Sequence, residues 1–93
     1  MADEALTLPT IIEETHATKD EGARAAWWRT NIVKLTVKEL ADLTGYSAQA
    51  IYLMERGINS AGKPVEPWAW QRYRMTCAGV QLQIVAQAQF EWR

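Results

Sequence analysis

Two hydroxyl residues and two glycines in a regular order constrain the fold of this chain more than any other feature. Thr36 and Ser47 are of the type that caps a helix N-terminus. Gly45 and Gly57 permit the left-handed backbone conformation that ends a helix. Glu39 lies three residues after Thr36 and completes a capping-box pattern. The order of these residues predicts two short capped helices that flank a three-residue turn.

The apolar positions of this unit predict which side of each helix faces a core. Val37 and Leu40 recur at helical spacing in the first helix. Ile51 and Met54 do the same in the second. Further positions expected to pack are Ala41 and Leu43 in the first helix and Tyr46 or Ala50 beside the second, whereas Lys38, Glu39 and Asp42 face water.

Residues 21–34 are predicted to form a helix that precedes this unit, with Asp20 as its N-cap. Residues 1–20 are predicted to form an acidic N-terminal arm, for which a flexible segment and an edge strand remain alternatives. Pro9 has no amide donor, so a strand here belongs at a sheet edge or a bend. The helix positions expected on the packed side are Ala23, Ala26, Trp27, Asn31 and Val33 or Lys34, with Trp28 and Ile32 extending it.

A further helix is predicted after a loop. Residues 58–66 contain asparagine, serine, glycine and proline, which favour irregular structure. Pro67 suits a first helical position, and Gly79 is expected to close the helix. Trp70, Tyr73 and Cys77 fall on one face of it. Residues 21–79 are therefore predicted to form one helical domain.

Apolar and polar residues alternate from Val80 to Trp92, which favours a half-buried β-strand over residues 80–93. A helix is the alternative, because alanine and glutamine are helix formers, but its apolar residues would then be scattered around the axis. A lone strand leaves backbone groups unpaired, so we expect it to pair with the N-terminal arm or with the same strand of a second subunit. The residues predicted to form this dimer interface are Leu82, Ile84, Ala86, Phe90 and Trp92.

Composition excludes several functional classes. Cys77 and His16 are the only residues of their types, so no disulfide, zinc cluster or other metal site is expected within the chain. With no set of acid, base and nucleophile and no glycine-rich phosphate loop, neither catalysis nor a cofactor is expected. The sequence shows no signal-peptide pattern and no apolar run of membrane-spanning length, which predicts a cytoplasmic location and no membrane partner.

Charge is divided unevenly along the chain. The whole chain carries a net charge of -1, but residues 1–22 carry six acidic residues against Lys19 alone. From Ala23 onward there are nine lysine or arginine residues against five acidic ones. A basic body with an acidic leader is compatible with a nucleic-acid partner, and ordinary solvated surface is the alternative.

The segment LTVKELADLTGYSAQAIYLMERG, residues 35–57, resembles the helix-turn-helix family of lambda repressor and Cro. The resemblance extends over roughly residues 23–80 and implies a mainly α domain of four to five helices that binds DNA. It also implies that Glu55 pairs with an arginine of the first helix, for which Arg29 is the candidate although it lies one position from the family register. The matching residues are Leu35, Thr36, Glu39, Leu40, Ala41, Gly45, Ser47, Glu55 and Gly57.

The same resemblance assigns roles to polar residues of the unit. The second helix would enter the major groove, where Gln49 suits an adenine edge and Ala48 a thymine methyl group. The residues expected to read bases are Ala48, Gln49, Tyr52, Leu53 and Arg56. The residues expected to contact phosphates are Thr36, Lys38, Ser47, Asn59, Ser60 and Lys63.

These observations predict a sequence-specific DNA-binding transcriptional regulator, a small homodimeric repressor of a phage, mobile element or bacterial operon that binds an inverted-repeat operator. The alternative is an antiactivator, antitoxin or adaptor that uses the same fold to bind a protein, with the acidic arm as a contact for that partner. Cys77 is expected to be a small buried residue. Four tryptophans are expected to pack in the core, with an interface role for one or two of them as the alternative: Trp27, Trp28, Trp68 and Trp70.

Overall fold

Helices account for most of the structure. The computed structural model describes residues 8–92, with side chains from Lys19 onward. Residues 8–92 contain no β-strand, so the predicted mainly α class is confirmed and the predicted C-terminal strand is wrong. The four helices are α1 (Leu8–Asn31), α2 (Val37–Thr44), α3 (Ala48–Arg56) and α4 (Pro67–Ile84).

The first helix begins earlier than predicted. α1 is continuous from Leu8, so Asp20 lies inside it and is not an N-cap, and residues 8–20 form neither a flexible arm nor a strand. Pro9 is tolerated because it falls in the first turn, where the backbone amide has no acceptor within the helix. Asp20 instead pairs with Arg24 one turn later, at 3.1 Å. Residues 1–7 of the predicted arm lie outside the described residues.

The packed side of α1 differs in part from the predicted one. Ala25 and Trp28 pack against the core, whereas Ala23 is exposed and Trp27 is 59% exposed. The helix stops at Asn31, and Lys34 takes a left-handed conformation with φ of 56° before the chain enters α2. Gly22 lies directly against the backbone of α3, so the side of α1 that carries Gly22 and Ala25 faces inward.

The two central helices have the predicted caps. Thr36 and Glu39 form a complete capping box at the start of α2. The side chain of Ser47 accepts a hydrogen bond from the amide of Ala50 at the start of α3. Gly45 and Gly57 end the two helices with φ of 83° and 77°, values that favour glycine. The predicted boundaries of α2 and α3 are therefore confirmed.

The core lies where α2, α3 and α4 meet. Leu40 and Ile51 are completely buried at its centre. Tyr73 of α4 makes an edge-to-face contact with Tyr46 in the turn, with ring centroids 5.3 Å apart, and a second one with Trp70 at 6.4 Å. The buried core residues are Val33, Val37, Leu40, Ile51, Met54, Val65, Trp70, Tyr73 and Val80.

The last helix continues beyond Gly79, contrary to prediction. α4 extends to Ile84 because Val80 is buried in the core and Gln81 accepts a hydrogen bond from the indole of Trp28 at 2.6 Å. These two contacts hold the extra turn in helical register, and the alanine and glutamine content agrees with it. Residues 86–92 follow as an exposed, irregular tail in which Phe90 and Trp92 stack edge to face.

Candidate nucleic-acid interface

One side of α3 is exposed to solvent and is termed the α3 outer face. It consists of Ala48, Gln49, Tyr52 and Arg56, all exposed, with the half-buried Leu53 at its edge. Helical spacing places these residues on one side of α3. The face offers an amide, a phenol, a guanidinium and two apolar groups. The structure thus brings all five predicted base-reading residues together, and their contact with DNA stays a prediction.

The opposite side of α3 is held rigidly. Ile51 is completely buried and Met54 nearly so, as predicted. α1 crosses the C-terminal turn of α3 at Gly22, where a Cβ atom would lie 2.6 Å from the carbonyl oxygen of Glu55 and 2.7 Å from that of Met54. Only glycine fits such a close approach without displacing backbone. The position of the α3 outer face is therefore determined by direct helix-to-helix contact.

An ion pair reinforces this contact. The guanidinium of Arg29 donates to both carboxylate oxygens of Glu55, at 2.6 and 3.1 Å, and the two side chains are only 13% and 10% exposed. Its third bond, 2.9 Å long, goes to the carbonyl oxygen of Leu35. The hydrogen bond to Glu55 raises the pKa of Arg29 above its usual value, which keeps the guanidinium charged. The predicted pairing is confirmed, and it joins α1, α3 and the start of α2.

The two helix N-termini carry polar residues expected to contact phosphates. The hydroxyl oxygen of Thr36 accepts from the amide of Glu39 at 3.1 Å, and that of Ser47 accepts from the amide of Ala50 at 3.0 Å. Both oxygens therefore serve as caps, while each hydroxyl keeps a proton that can be donated to an acceptor. Lys38 is exposed and pairs with Asp42 at 3.3 Å. Phosphate binding by these residues stays a prediction.

The loop after α3 is a small hairpin organised by Asn59. Its side-chain oxygen accepts from the backbone amides of Ala61 and Lys63, at 2.9 and 3.0 Å. Its backbone amide donates to the backbone carbonyl oxygen of Lys63 at 2.7 Å. Asn59 is half-buried, and its side-chain carbonyl oxygen is occupied by these hydrogen bonds within the loop. Ser60 and Lys63 are exposed and are the hairpin residues best placed for an external contact.

Two exposed cations lie on α3 and in the hairpin that follows it. Arg56 and Lys63 are exposed and form no ion pair within the described part of the chain. The neighbouring Glu55 is neutralised by Arg29. The α3 outer face and the following hairpin therefore present cations without a nearby unpaired carboxylate of α3.

The predicted dimer residues do not form one surface. Leu82 and Ile84 lie on α4, where a two-residue step places them on different sides of the helix. Ala86, Phe90 and Trp92 lie in the irregular tail. The prediction rested on a period of two, so replacing the strand by a helix and a tail removes the single face. Leu82 remains 56% exposed, and Phe90 and Trp92 are 77% and 91% exposed.

One positioning residue was not singled out by the sequence, and the contact made by a second was not foreseen. Gly22 has no turn or cap signal around it, and its importance comes entirely from the backbone of α3. Tyr46 was expected beside the core, but its stacking on Tyr73 of α4, which anchors the turn, had no local signal. A glycine inside a helical pattern is the one hint that was present, since such a residue commonly has a packing reason.

Cys77 lies half-buried beside Tyr73. Burial raises the pKa of the Cys77 thiol to about 11, and burial together with the neighbouring thiol raises the pKa of Tyr73 far above its usual range. Both groups are therefore neutral at ordinary pH. Cys77 is expected to be buried, and it is half-buried and packs against the core. Of the four tryptophans expected there, Trp28 and Trp70 pack, whereas Trp27 and Trp68 are exposed.

Comparison with known proteins adds no relative. No family model matches the chain, and no curated protein or solved structure shows significant similarity to it. No helix among the described residues has the length and apolar character needed to cross a membrane. Residues in that same range contain no cluster of side chains suited to a metal ion.

Proposed function

We propose that this protein is a sequence-specific DNA-binding transcriptional regulator of the helix-turn-helix type. The observation that carries the proposal is the α3 outer face, a row of exposed groups on a short helix that is capped at both ends and packed on its other side. An α-helix of this kind fits the major groove of B-DNA. The resemblance of residues 35–57 to the lambda repressor and Cro family supports the same function.

The groups on the α3 outer face match base edges in the major groove. Gln49 suits bidentate bonds to adenine, and Arg56 suits the O6 and N7 atoms of guanine. Ala48 and Leu53 suit the methyl group of thymine, and Tyr52 can donate to a base or a phosphate. This chemistry favours a duplex with a defined sequence over general attraction to phosphates.

Rigid attachment of α3 supports sequence reading. A reading helix that moved by an ångström would lose the geometry of bidentate bonds. The close contact at Gly22 and the ion pair of Arg29 with Glu55 hold α3 against α1. Phosphate contacts from Thr36, Ser47 and the hairpin at Lys63 would then set the register of the domain on the duplex.

A regulator of this size reads a longer site when it binds as a homodimer. Two α3 outer faces about one helical turn of DNA apart would contact the two halves of an inverted repeat. With operator occlusion as the simplest mode of action, we propose repression of a phage, mobile element or bacterial operon as the role.

The proposal is tested by selecting bound sequences from a library of random DNA duplexes and then measuring the affinity of the protein for the selected duplex by fluorescence anisotropy. Gln49→Ala and Arg56→Ala should each weaken binding by about 1–3 kcal/mol and relax the base preference at one position per half-site. Lys63→Ala should weaken binding to all duplexes and reduce its salt dependence.

Matched controls are Gln83→Ala and Arg24→Ala, which remove the same groups from exposed positions outside α3. These variants should bind the selected duplex as the unchanged protein does. Failure of the library to converge on any sequence at low salt would exclude the proposed function.

A protein partner is the second candidate function, favoured by the exposed Trp27 on α1. A tryptophan that is 59% exposed on a small domain is typical of an interface anchor. In this case the protein is an antiactivator, antitoxin or adaptor, with acidic residues of the N-terminal segment as a further contact. This function would be favoured if the protein bound no DNA and if Trp27→Ala abolished its binding to a partner protein.

A further inference from the structure

α4 is apolar on two opposite sides. One side carries Trp70, Tyr73 and Val80, all buried in the core. The other side carries a row of three large apolar residues spaced seven positions apart. These are Trp68, Met75 and Leu82, which are 57%, 71% and 56% exposed. A helix whose outer side repeats large apolar residues every two turns has a second packing surface.

The intermediate positions complete a coiled-coil pattern. Three residues after each large side chain come Gln71, Ala78 and Val85, so the row alternates steps of three and four. We term these six residues the α4 seam: Trp68, Gln71, Met75, Ala78, Leu82 and Val85. Gln71 is its only polar member. Beside its centre lies Gly79, where an added Cβ atom would meet nothing within 4 Å.

We propose that the α4 seam binds the α4 seam of a second copy of this chain, with the two helices antiparallel and the two-fold axis passing between Ala78 and Gly79. A symmetric dimer requires one surface that is complementary to itself. Around this axis, Met75 of each copy lies opposite Leu82 of the other. The small residues at the centre allow the helices to approach closely, with the larger side chains interlocking on either side.

Charge favours the antiparallel orientation. The charged residues of α4 are Arg72 and Arg74, and Arg74 is already paired with Glu21 of α1 through a bond of 2.8 Å. Arg72 lies beside the seam, over the ring of Trp68. A parallel pair would place the two Arg72 side chains next to each other, whereas the antiparallel pair separates them by thirteen residues, about 20 Å along the helix.

The exposed apolar area is sufficient for a dimer. Trp68 at one end of the seam would lie beyond Ile84 of the other copy. The tail of each chain folds back beside the C-terminal part of the seam, since the amide of Ala88 donates to the carbonyl oxygen of Leu82 at 2.9 Å and Phe90 shares a groove with Gly79 and Leu82. That tail exposes Phe90 and Trp92. Aromatic side chains of this size bury about 150–250 Å² each when completely covered, so the parts of these three that are still exposed supply roughly half of the about 800 Å² per partner that a standard interface buries. Met75, Leu82 and Val85 add to this area.

Sedimentation velocity on the full chain without DNA tests the proposal, and its result does not depend on DNA binding. The unchanged protein should be a dimer at micromolar concentration. Met75→Glu should raise the dissociation constant of the dimer by about 100-fold or more, because the change occurs at two central sites of a symmetric interface. Met75 is largely exposed, so the thermal unfolding of this variant should show an intact fold.

Trp27→Glu is the matched control, since Trp27 is as exposed as Trp68 but lies on α1. This variant should remain a dimer. A monomeric unchanged protein, or a dimer that survives Met75→Glu, would overturn the proposal. Loss of the dimer in Trp27→Glu with retention in Met75→Glu would place the interface on α1 instead.

Cysteine cross-linking tests the orientation. In a Cys77→Ala background, Ala78→Cys lies next to the two-fold axis and should form an intermolecular disulfide readily on oxidation. Leu82→Cys should not, because its two copies would be about 10 Å apart along the helix, beyond the reach of a disulfide. Cross-linking of Leu82→Cys at the rate of Ala78→Cys would indicate a parallel pair and contradict the proposed axis.

Discussion

Single residues decide how α3 is held. Gly22 occupies a helix interior, where glycine ordinarily costs stability relative to alanine. Here it is required, because the carbonyl oxygens of Glu55 and Met54 lie where its Cβ atom would be. The contact is between backbones, so no side chain can move aside to accommodate a methyl group. The crossing of α1 over α3 therefore depends on the absence of one carbon atom.

Gly22→Ala should destabilise the fold by about 1–3 kcal/mol, the usual cost of forcing extra volume into a packed site. Urea denaturation followed by circular dichroism measures the change in free energy of unfolding. Gly79→Ala is the matched control when both variants are measured at concentrations where the chain is monomeric, since Gly79 also lies in a helix but has open space around it within its own chain. That variant should gain about 0.5–1 kcal/mol. Equal effects of the two substitutions would contradict the close approach of α1 to α3.

Arg29→Met should lower the free energy of unfolding by about 3–5 kcal/mol, because it leaves the largely buried carboxylate of Glu55 without its partner. The double variant Arg29→Met with Glu55→Met should recover much of that loss, since no buried charge remains. Thermal and urea unfolding of the single and double variants measure this coupling.

Arg24→Met provides the comparison, because Arg24 and Asp20 form a pair whose side chains are 72% and 69% exposed. Its effect should be below about 1 kcal/mol. If Arg29→Met were as mild as Arg24→Met, the pair of Arg29 with Glu55 would have no special structural role.

At the scale of elements, helix ends were predictable and helix faces were less so. The boundaries of α2 and α3 follow from caps and glycines within a few residues of each end, and the structure has them as predicted. The side of α1 that packs was predicted only in part, since Trp28 packs as expected but Trp27 is exposed. Periodicity allowed either side, and contact with α3 selected one.

The junction between α1 and α2 contains a strained residue. Lys34 is exposed and has φ of 56°, a left-handed conformation that costs a non-glycine residue about 1–2 kcal/mol. Lys34→Gly should therefore raise the free energy of unfolding by up to about 1 kcal/mol, after allowance for the greater freedom of glycine in the unfolded chain.

Differential scanning calorimetry measures this gain as a higher melting temperature. Lys63→Gly, at an exposed position without a left-handed backbone, should lower the melting temperature instead. A loss of stability in Lys34→Gly would show that the junction does not carry this strain.

For the whole molecule, burial of Tyr73 and Cys77 makes the free energy of unfolding decrease with rising pH in the alkaline range. The folded state keeps both groups neutral, with the pKa of Cys77 raised to about 11 from an ordinary 9.0. Above pH 9 the unfolded chain releases these protons while the folded protein retains them. The free energy of unfolding should therefore fall between pH 9 and 11, by roughly 2 kcal/mol for the thiol.

Urea unfolding at a series of pH values measures this decline. Cys77→Ala should make the decline in the free energy of unfolding shallower over the same pH range. The decline that remains in this variant is caused by Tyr73. Slow alkylation of Cys77 at pH 8 in the folded protein is a second readout, because the thiolate is the reactive form. An identical decline in the alanine variant would contradict a neutral, half-buried thiol.

What the sequence by itself determined was local. The caps at Thr36 and Ser47, the turns at Gly45 and Gly57 and the five residues of the α3 outer face follow from groups a few positions apart, so the chemistry that creates them is visible in a short stretch. Even the pairing of Arg29 with Glu55 was predictable only through resemblance to a family pattern.

What only the tertiary structure decided was which side of each helix is buried and which side stays exposed. The segment after Gly79 alternates like a strand, yet the burial of Val80 and the bond from Trp28 to Gln81 keep it helical. That outcome turns Leu82 from a strand residue into a helical residue of the α4 seam. The physical reason is that contacts between residues distant in sequence supply more free energy than local preference does, and a period of two or of 3.6 cannot reveal them.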